Sequence, residues 1–579
     1  MLLLSRKKLS RNDLVSSDCY DCGDVYGHGH FQRWFCILAT LSVCAQQCHT
    51  LVFRLISGDV DHWCKQPHGV VMMSADAWKN TAIPLEADGR LSRCTFYKYP
   101  SDPNDTQVVD CDEWDYDSEK ARRTIVSRWN LVCRRRPLRA LAQAVYIAGS
   151  LVFMSAVGHI ADQIGRLPVL LSAVAVLQLT TLGGCFAQSY IMYILSRFFN
   201  AGCAATVGVL SCTLLFEVST HENRNRHVCA ALTAGLLMAE VWLAVARLLR
   251  KVDWTLLQGL MLAPTVLTLY AFAAVHESAR WCVAEGNMVK AEIIMISAAK
   301  ENLFPIPTTA CMLERLKEEV ARVSKRVTST AKDISEAKEL QRRAFVMFGS
   351  SFTVSFTMFS ILMYEAKVAS GASAWYPWAS SAMNLVGFGL LYAAFRKIAA
   401  ARLLSTVVAG LGCMAFLISL SFVVQYEPLT TALFLSAKPF VYAVSILIYI
   451  SVLGMVPTTV RCSTACWFFG FGRLGGVCAV LLSILQDAGR EDVLFALAGT
   501  ALFVMLVAHV SIRSASEQPT ISSPLSTTGN VDTMGYMKQT LDPLTLKKEK
   551  SEKRKKSRAR ASSMKAQSTE PKPNNDAID

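Results

Sequence analysis

Runs of about twenty apolar residues recur along this 579-residue chain, and they constrain its fold more than any other feature. A bilayer core of roughly 30 Å needs about 20 apolar residues per helical crossing. In lipid, an open sheet edge or bare loop leaves backbone groups without partners, so such runs must be helices. Runs of this kind place spans at Trp34–Phe53, Leu138–Val157, Pro168–Phe186, Ile191–Leu214, Val228–Leu249 and Leu256–Val275. A second set follows at Phe345–Met363, Ala374–Phe395, Leu404–Val424, Thr431–Val452, Ala465–Leu485 and Val493–Val510. Composition agrees. Charged residues make up 18% of the chain, against about 25% in soluble domains, and they crowd between the runs.

The spacing of the spans divides the chain. The expectation is an N-terminal segment 1–33, a first six-helix half 34–275 with a long loop 54–137, and a central loop 276–344. A second half 345–510 and a basic tail 511–579 follow. The residues before Ser5, Arg6, Lys7 and Lys8 are too few for a cleavable apolar leader, so the first span is expected to act as its own insertion signal. Lys/Arg bias sets the orientation. Arg224 and Arg226 lie in the 4–5 loop and Arg396, Lys397 and Arg402 in the 8–9 loop, whereas Gln188–Tyr190 and Gln425–Pro428 carry no basic residue. Arg250 and Lys251 in the 5–6 loop break the pattern. Both termini are therefore expected in the cytoplasm. The tail run Lys547–Arg560 supplies much of the net charge of +14 and suits contact with anionic lipid better than nucleic acid.

The same orientation puts Cys64, Cys94, Cys111 and Cys133 of the long loop in an oxidising exterior. Four cysteines permit three pairings, and sequence does not choose among them. Asn104-Asp105-Thr106 in that loop is a glycosylation sequon. In the central loop Leu313, Leu316, Val320 and Val323 recur at helical spacing amid Glu and Lys. That pattern predicts an amphipathic helix packed beneath the bundle.

The 2–3 loop reads Gly158-His-Ile-Ala-Asp162-Gln-Ile-Gly165-Arg166. Its glycines allow a tight turn and close helix ends, and Asp162 and Arg166 bring charges that can pair with each other or with helix termini. Between the second and third of twelve spans, this sequence resembles the signature loop of the major facilitator superfamily. Gln163 and Leu167 stand where basic residues are expected.

Further motifs narrow the resemblance to the organic cation/anion/carnitine transporter family, over nearly the whole chain up to Val510. They are Gly27 and Gly29 before Phe31-Gln32, His62-Trp63-Cys64, Trp129-Asn130-Leu131-Val132-Cys133, and Leu141-Ala142-Gln143 leading to Tyr146 and Gly149. Arg197, Glu217 and Arg224 keep the family spacing through the fourth span. Glu277-Ser278-Ala279-Arg280-Trp281 resembles the anion branch in Ala279, and Lys438 with Pro457-Thr458 and Arg461 resembles the tenth span and its exit. The second half departs from the pattern. Gly454 replaces an acidic residue, Ala400-Ala401-Arg402 replaces the counterpart of the 2–3 loop, and the eighth-span signature is missing around Leu385 and Gly387.

The resemblance implies an all-α fold of two six-helix halves around a central cavity, alternating access by rocking of the halves, and transport of organic anions at the plasma membrane. It also implies cytoplasmic charge networks built from Asp162, Arg166, Arg197, Glu217, Arg224, Glu277, Arg280 and Arg461. Lys438 is either structural or a charge partner. Ionisable residues inside spans are costly and by default functional. Arg473, flanked by Gly472, Gly475 and Gly476, occupies a place where anion and carnitine members resemble this chain in carrying arginine, and a guanidinium can hold a carboxylate bidentately. The alternative is an internal structural ion pair. Met358 and Phe359 stand where anion members have paired tyrosines. Ser445 and Tyr449 stand at usually aromatic positions one turn apart, and His49 matches a pore-facing histidine. Glu240 and Arg247, seven apart on one face of the fifth span, have no family counterpart; they are expected to neutralise each other, the alternative being a charged feature of the pathway.

An enzyme is not expected. Cys19 and Cys22 form a C-x-x-C beside His28 and His30, yet zinc usually takes four well-spaced ligands and both histidines fall in the family's Gly-x-Gly-x-Phe-Gln region. No metal or cofactor is expected. Two other functions stay open: a carrier of cations or carnitine-like zwitterions, and a non-transporting relative, which Gly454 and Ala400-Ala401 favour.

Overall fold

The computed structural model describes residues 22–517, apart from loop positions 59, 68–73, 87–90, 100–106, 117–123, 250–251, 324–330, 372–374, 397, 399, 457 and 483–490. Met1–Val510 forms one compact unit. Asn104, Cys19 and the basic tail run lie outside the described residues, as do the side chains of Val320 and Val323.

Among the described residues, twelve helices are long and apolar enough to cross a membrane. In order they are His30–Ile56, Cys133–Ile164, Arg166–Cys185, Tyr190–Val218, Arg224–Leu248 and Trp254–Phe272, then Arg342–Tyr364, Trp378–Phe395, Leu403–Val424, Glu427–Met455, Arg461–Leu481 and Asp492–Val510. Each coincides with a predicted span. Several are longer than their apolar runs. The largest extension lies in the central loop, where helix Ala331–Gly371 runs unbroken into the seventh span.

Burial separates the spans into inner and outer. The apolar window of the fourth span is entirely buried, whereas those of the ninth and twelfth are only 33% buried. Lipid tails are as apolar as leucine, so an outer helix can leave most of its apolar surface uncovered by protein. The halves meet along two seams, the second span against the eleventh and the fifth against the eighth. Two close approaches make the helix packing possible. A Cβ on Gly158 would sit 2.7 Å from the Cys462 carbonyl oxygen. A Cβ on Gly475 would overlap the Phe352 carbonyl of the seventh span.

The long loop between the first and second spans is a small folded body. Strand β1 (His62–Cys64) pairs antiparallel with β4 (Trp114–Tyr116), and β2 (Thr95–Tyr97) with β3 (Val108–Asp110). Of the three possible pairings the structure takes Cys64–Cys111 and Cys94–Cys133. Trp78 packs with Ala82 and Ile83 as a separate core, and its indole N–H donates to the Cys64 carbonyl at 2.8 Å. Burial pushes the Tyr116 phenol up to about 12, so at neutral pH its hydroxyl remains a donor to Asn130 Oδ1 at 3.0 Å.

At the opposite end, the amphipathic helix predicted from Leu313 and Leu316 is Ile306–Val323, with both leucines buried. It packs with helix Met288–Glu301 and the short helix Cys22–Tyr26. Asn302 ties this assembly together. Its Oδ1 accepts from the Phe31 amide at 3.0 Å, and its Nδ2 donates to the Tyr26 carbonyl at 3.0 Å and to Gln32 Oε1 at 3.1 Å.

Candidate functional site

The 2–3 loop turns at Gly165, whose φ of 107° an L side chain rarely adopts. That turn leaves Asp162 at the end of the second span facing the first residues of the eleventh. Its carboxylate accepts the backbone N–H groups of Cys462 at 3.2 Å and Ser463 at 2.8 Å, and the Ser463 hydroxyl at 2.5 Å. The first N–H groups of a helix have no partner within it, and the positive end of the helix dipole favours an anion. Asp162 therefore caps a helix belonging to the other half.

Arg166 is fully buried beside it. Its Nη2 lies 3.2 Å from Asp162 and 3.0 Å from Glu217 Oε1, and donates to the Thr458 carbonyl at 2.7 Å. Glu217, also fully buried, meets Arg461 at 3.3 Å. Four predicted residues, Asp162, Arg166, Glu217 and Arg461, thus form one network joining the second, third and fourth spans to the start of the eleventh and the turn before it. Charge-assisted hydrogen bonds of this kind contribute about 1.5–3 kcal/mol each. Glu277 belongs to the same region. Its Oε2 accepts the Leu167 amide at 3.0 Å at the start of the third span, and its other oxygen accepts the Ser278 amide at 3.0 Å.

The other predicted charges make contacts of their own. Arg280 Nε lies 3.2 Å from the Cys22 sulfur, whose thiol also donates to the Glu217 carbonyl. Arg224 lies over Phe216, with 4.8 Å between guanidinium and ring centre. Arg197 is buried within the first half, donating to the His49 carbonyl and to Gln143, with Tyr146 beneath its guanidinium at 3.9 Å. His49 was expected to face the pore. Its Nε2 instead lies 3.4 Å from Thr265 Oγ1 of the sixth span, and the ring is fully buried in the first half's own packing. The register of the helix decides this: Gln47, two residues earlier, takes the face towards the second half.

Deeper in the bundle, Arg473 is set between aromatic rings. Its guanidinium lies 4.3 Å from the Phe469 ring centre and 5.6 Å from that of Phe359. Among the described residues no carboxylate lies within ion-pair distance of it. Phe359 is fully buried against Gly476, Met358 beside it is half-buried, and Ser445 turns its hydroxyl back to the Val441 carbonyl of its own helix. Tyr449 crosses between halves, its hydroxyl donating to the Val209 carbonyl at 2.8 Å.

The expected pairing of Glu240 with Arg247 is not what holds Glu240. Seven residues separate their Cα atoms by about 10 Å along the axis. Glu240 Oε1 lies instead 3.2 Å from Lys438 in the tenth span and 4.0 Å from Arg54 in the first. Tyr442 adds its hydroxyl to Glu240 at 3.4 Å and receives the Gln47 amide at 3.2 Å. Sequence reading passed over Gln47 and Tyr442. The available signal was their polarity inside apolar spans.

Two halves of six spans, tied through buried charges at the signature loop, define a secondary carrier of the major facilitator class. Among solved structures the fold is similar to the proton:xylose symporter XylE bound to 6-bromo-6-deoxy-D-glucose. That match has a TM-score of 0.60 at 13% identity and covers 83% of this chain and 95% of that one. It is also similar to the human organic anion transporter MFSD10, with a TM-score of 0.50 at 12% identity over 83% of this chain and 99% of that one.

A family profile described as sugar (and other) transporter matches residues 84–469. Solute carrier family 22 member 7 of Homo sapiens is 26% identical over 501 residues, covering 80% of this chain and 87% of that protein. Organic anion transporter 3 of Homo sapiens is 26% identical over 344 residues, covering 58% and 61%. The chain belongs to the sugar (and other) transporter family, and it is similar to members of solute carrier family 22. It is a multi-pass membrane transporter and not an enzyme.

Proposed function

We propose that this protein carries organic anions across the plasma membrane by alternating access, with both termini in the cytoplasm and Arg473 as the anchor for the substrate carboxylate. The observation that carries this reading is the setting of Arg473. A guanidinium held between Phe469 and Phe359, with no acidic partner among the described residues, is suited to bind rather than to brace. Carboxylate binding to arginine is bidentate, and the flanking rings suit the apolar body of an amphipathic anion. Organic anion transporter 3 carries that substrate class in its name, which supports the same choice. Phe359, Met358, Tyr449 and Ser445 are proposed to border the substrate.

The network of Asp162, Arg166, Glu217 and Arg461 is proposed to hold the cytoplasmic side closed, and rocking of the halves must break it. The basic run Lys547–Arg560 is proposed to rest on anionic lipid. The test is uptake of a labelled panel of organic anions, cations and zwitterions into cells expressing the chain, with surface-expressed Arg473→Ala alongside. Saturable anion uptake that the variant loses supports the reading. Cation or carnitine-like uptake indifferent to Arg473 would replace it. No accumulation of any compound despite surface expression favours a non-transporting relative. That reading has its own support in Gly454, which stands where the family pattern has an acidic residue.

A further inference from the structure

A partly open cleft lies between the halves towards the end of the bundle that bears the long loop. Arg54 of the first span and Glu240 and Arg247 of the fifth line one side. Tyr376 and Ser380 near the start of the eighth span and Lys438 of the tenth line the other. Glu240 is the one acid among the lining residues, and it is not in the place its own helix would give it. Its carboxylate reaches across the seam to Lys438 at 3.2 Å, while Lys438 also donates to Ser380 Oγ at 2.7 Å.

A buried ammonium must have an anion beside it. Here the anion is a carboxylate tethered to the opposite half. We propose that this pocket is a loading site for small organic carboxylates, in which the ligand's carboxylate replaces that of Glu240 on Lys438. Glu240 is the protein's own occupant of the site, and the incoming ligand competes with it for the same ammonium. When displaced, Glu240 keeps Arg54 as a partner on its own half, so no charge is stranded. Ser380 stays on Lys438 and serves the ligand as it served Glu240. The exchange has a mechanical consequence. The Glu240–Lys438 pair is one of the ties between the halves at this end, and a free ligand on Lys438 carries no such tie. Arrival of the anion therefore loosens the seam through which it came. Arg473 lies on the eleventh span and is not among the residues lining this pocket, so loading and central binding are separate events. The inference rests on the anion-carrier reading.

The test uses full-length protein in lipid nanodiscs and equilibrium binding of labelled benzoate. If Glu240 covers Lys438 nine-tenths of the time, removing its charge tightens apparent benzoate affinity about tenfold, by the fraction of competent sites regained. Glu240→Gln is expected to show that gain, and Glu240→Gln combined with Lys438→Gln is expected to lose it. Should Glu240→Gln fail to fold, Glu240→Asp, one methylene shorter and a weaker competitor, is expected to tighten binding by a smaller factor. Unchanged or weaker binding in a folded Glu240 variant overturns the proposal, as does a gain that survives loss of Lys438. Arg473→Ala separates the two readings. If it leaves benzoate binding intact while Glu240→Gln still tightens it, the loading site stands apart from Arg473, and the loss or survival of uptake in Arg473→Ala decides the central anchor. If it abolishes binding while Glu240→Gln does nothing, the central anchor stands and the loading site falls. Absence of benzoate binding in every folded variant overturns both.

Discussion

Arg166 and Arg473 are the same side chain in the same bundle, and their surroundings separate their roles. Arg166 meets Asp162, Glu217 and a backbone carbonyl, all within 3.2 Å. Arg473 meets rings. A guanidinium held by two carboxylates would have to give them up to take a ligand, whereas one held by cation–π contacts of about 0.5–2 kcal/mol can exchange them for a bidentate carboxylate. Arg473→Lys keeps the charge but loses the planar fork. Its expected effect is a rise of at least about tenfold in KM for anions with surface expression unchanged, measured by uptake kinetics. Asp162 is a second residue whose effect can be sized. In Asp162→Asn the amide still accepts one hydrogen bond, but the charge at the helix terminus is gone. A loss of about 1–2 kcal/mol from the closed state is expected. Hydrogen exchange should rise at residues 458–466, and unchanged exchange there would show that the cap does not hold that end.

Elements act here through how closely they approach. The second and eleventh spans lie side by side because Gly158 presents only its Cα to Cys462 and Ser463. That nearness is what brings Asp162 within reach of the eleventh span's first N–H groups. A side chain at 158 must push the helices apart and lengthen those bonds together. Gly158→Leu is therefore expected to lower the melting temperature of the purified protein and to abolish uptake. The packing cost alone is about 1–3 kcal/mol. A variant with wild-type melting and uptake would mean that the seam has slack the structure does not display. In the long loop, the disulfides close loops of 47 and 39 residues in sequence separation, and each is expected to contribute about 4 kcal/mol through the unfolded chain. Peptide mapping without reduction should recover Cys64 with Cys111 and Cys94 with Cys133. Replacing Cys94 and Cys133 by serine should sharply reduce surface delivery.

Across the whole molecule, the two halves are tied at both ends by ion pairs that cross between them. At the signature loop the ties are Asp162 on the eleventh span and Glu217 on Arg461; towards the long loop the tie is Glu240 on Lys438. A rocking carrier needs such ties to be breakable, and these buried pairs become so when the halves part and water enters the cleft. Each charge that leaves its partner can be hydrated as the cleft opens, so the loss on separation is far smaller than for a pair broken in a sealed core.

The twelve spans, their order, the folded long loop and the family were legible in the chain. Span length, short-loop charge and cysteine position are local properties that the bilayer and the redox compartment read directly. The network at the 2–3 loop was half legible, because the residues are local to their motifs, whereas the acceptance of two eleventh-span amides by Asp162 depends on contacts some 300 residues away in sequence. What only the tertiary structure decided was pairing: which cysteines join, that His49 turns to Thr265, that Arg473 has rings rather than an acid, and that Glu240 belongs to Lys438 rather than Arg247. Helical periodicity tells which face of a span a residue occupies, but not which helix stands opposite that face. The fold places the fifth span against the eighth and within reach of the tenth, and that neighbour gives Glu240 its partner.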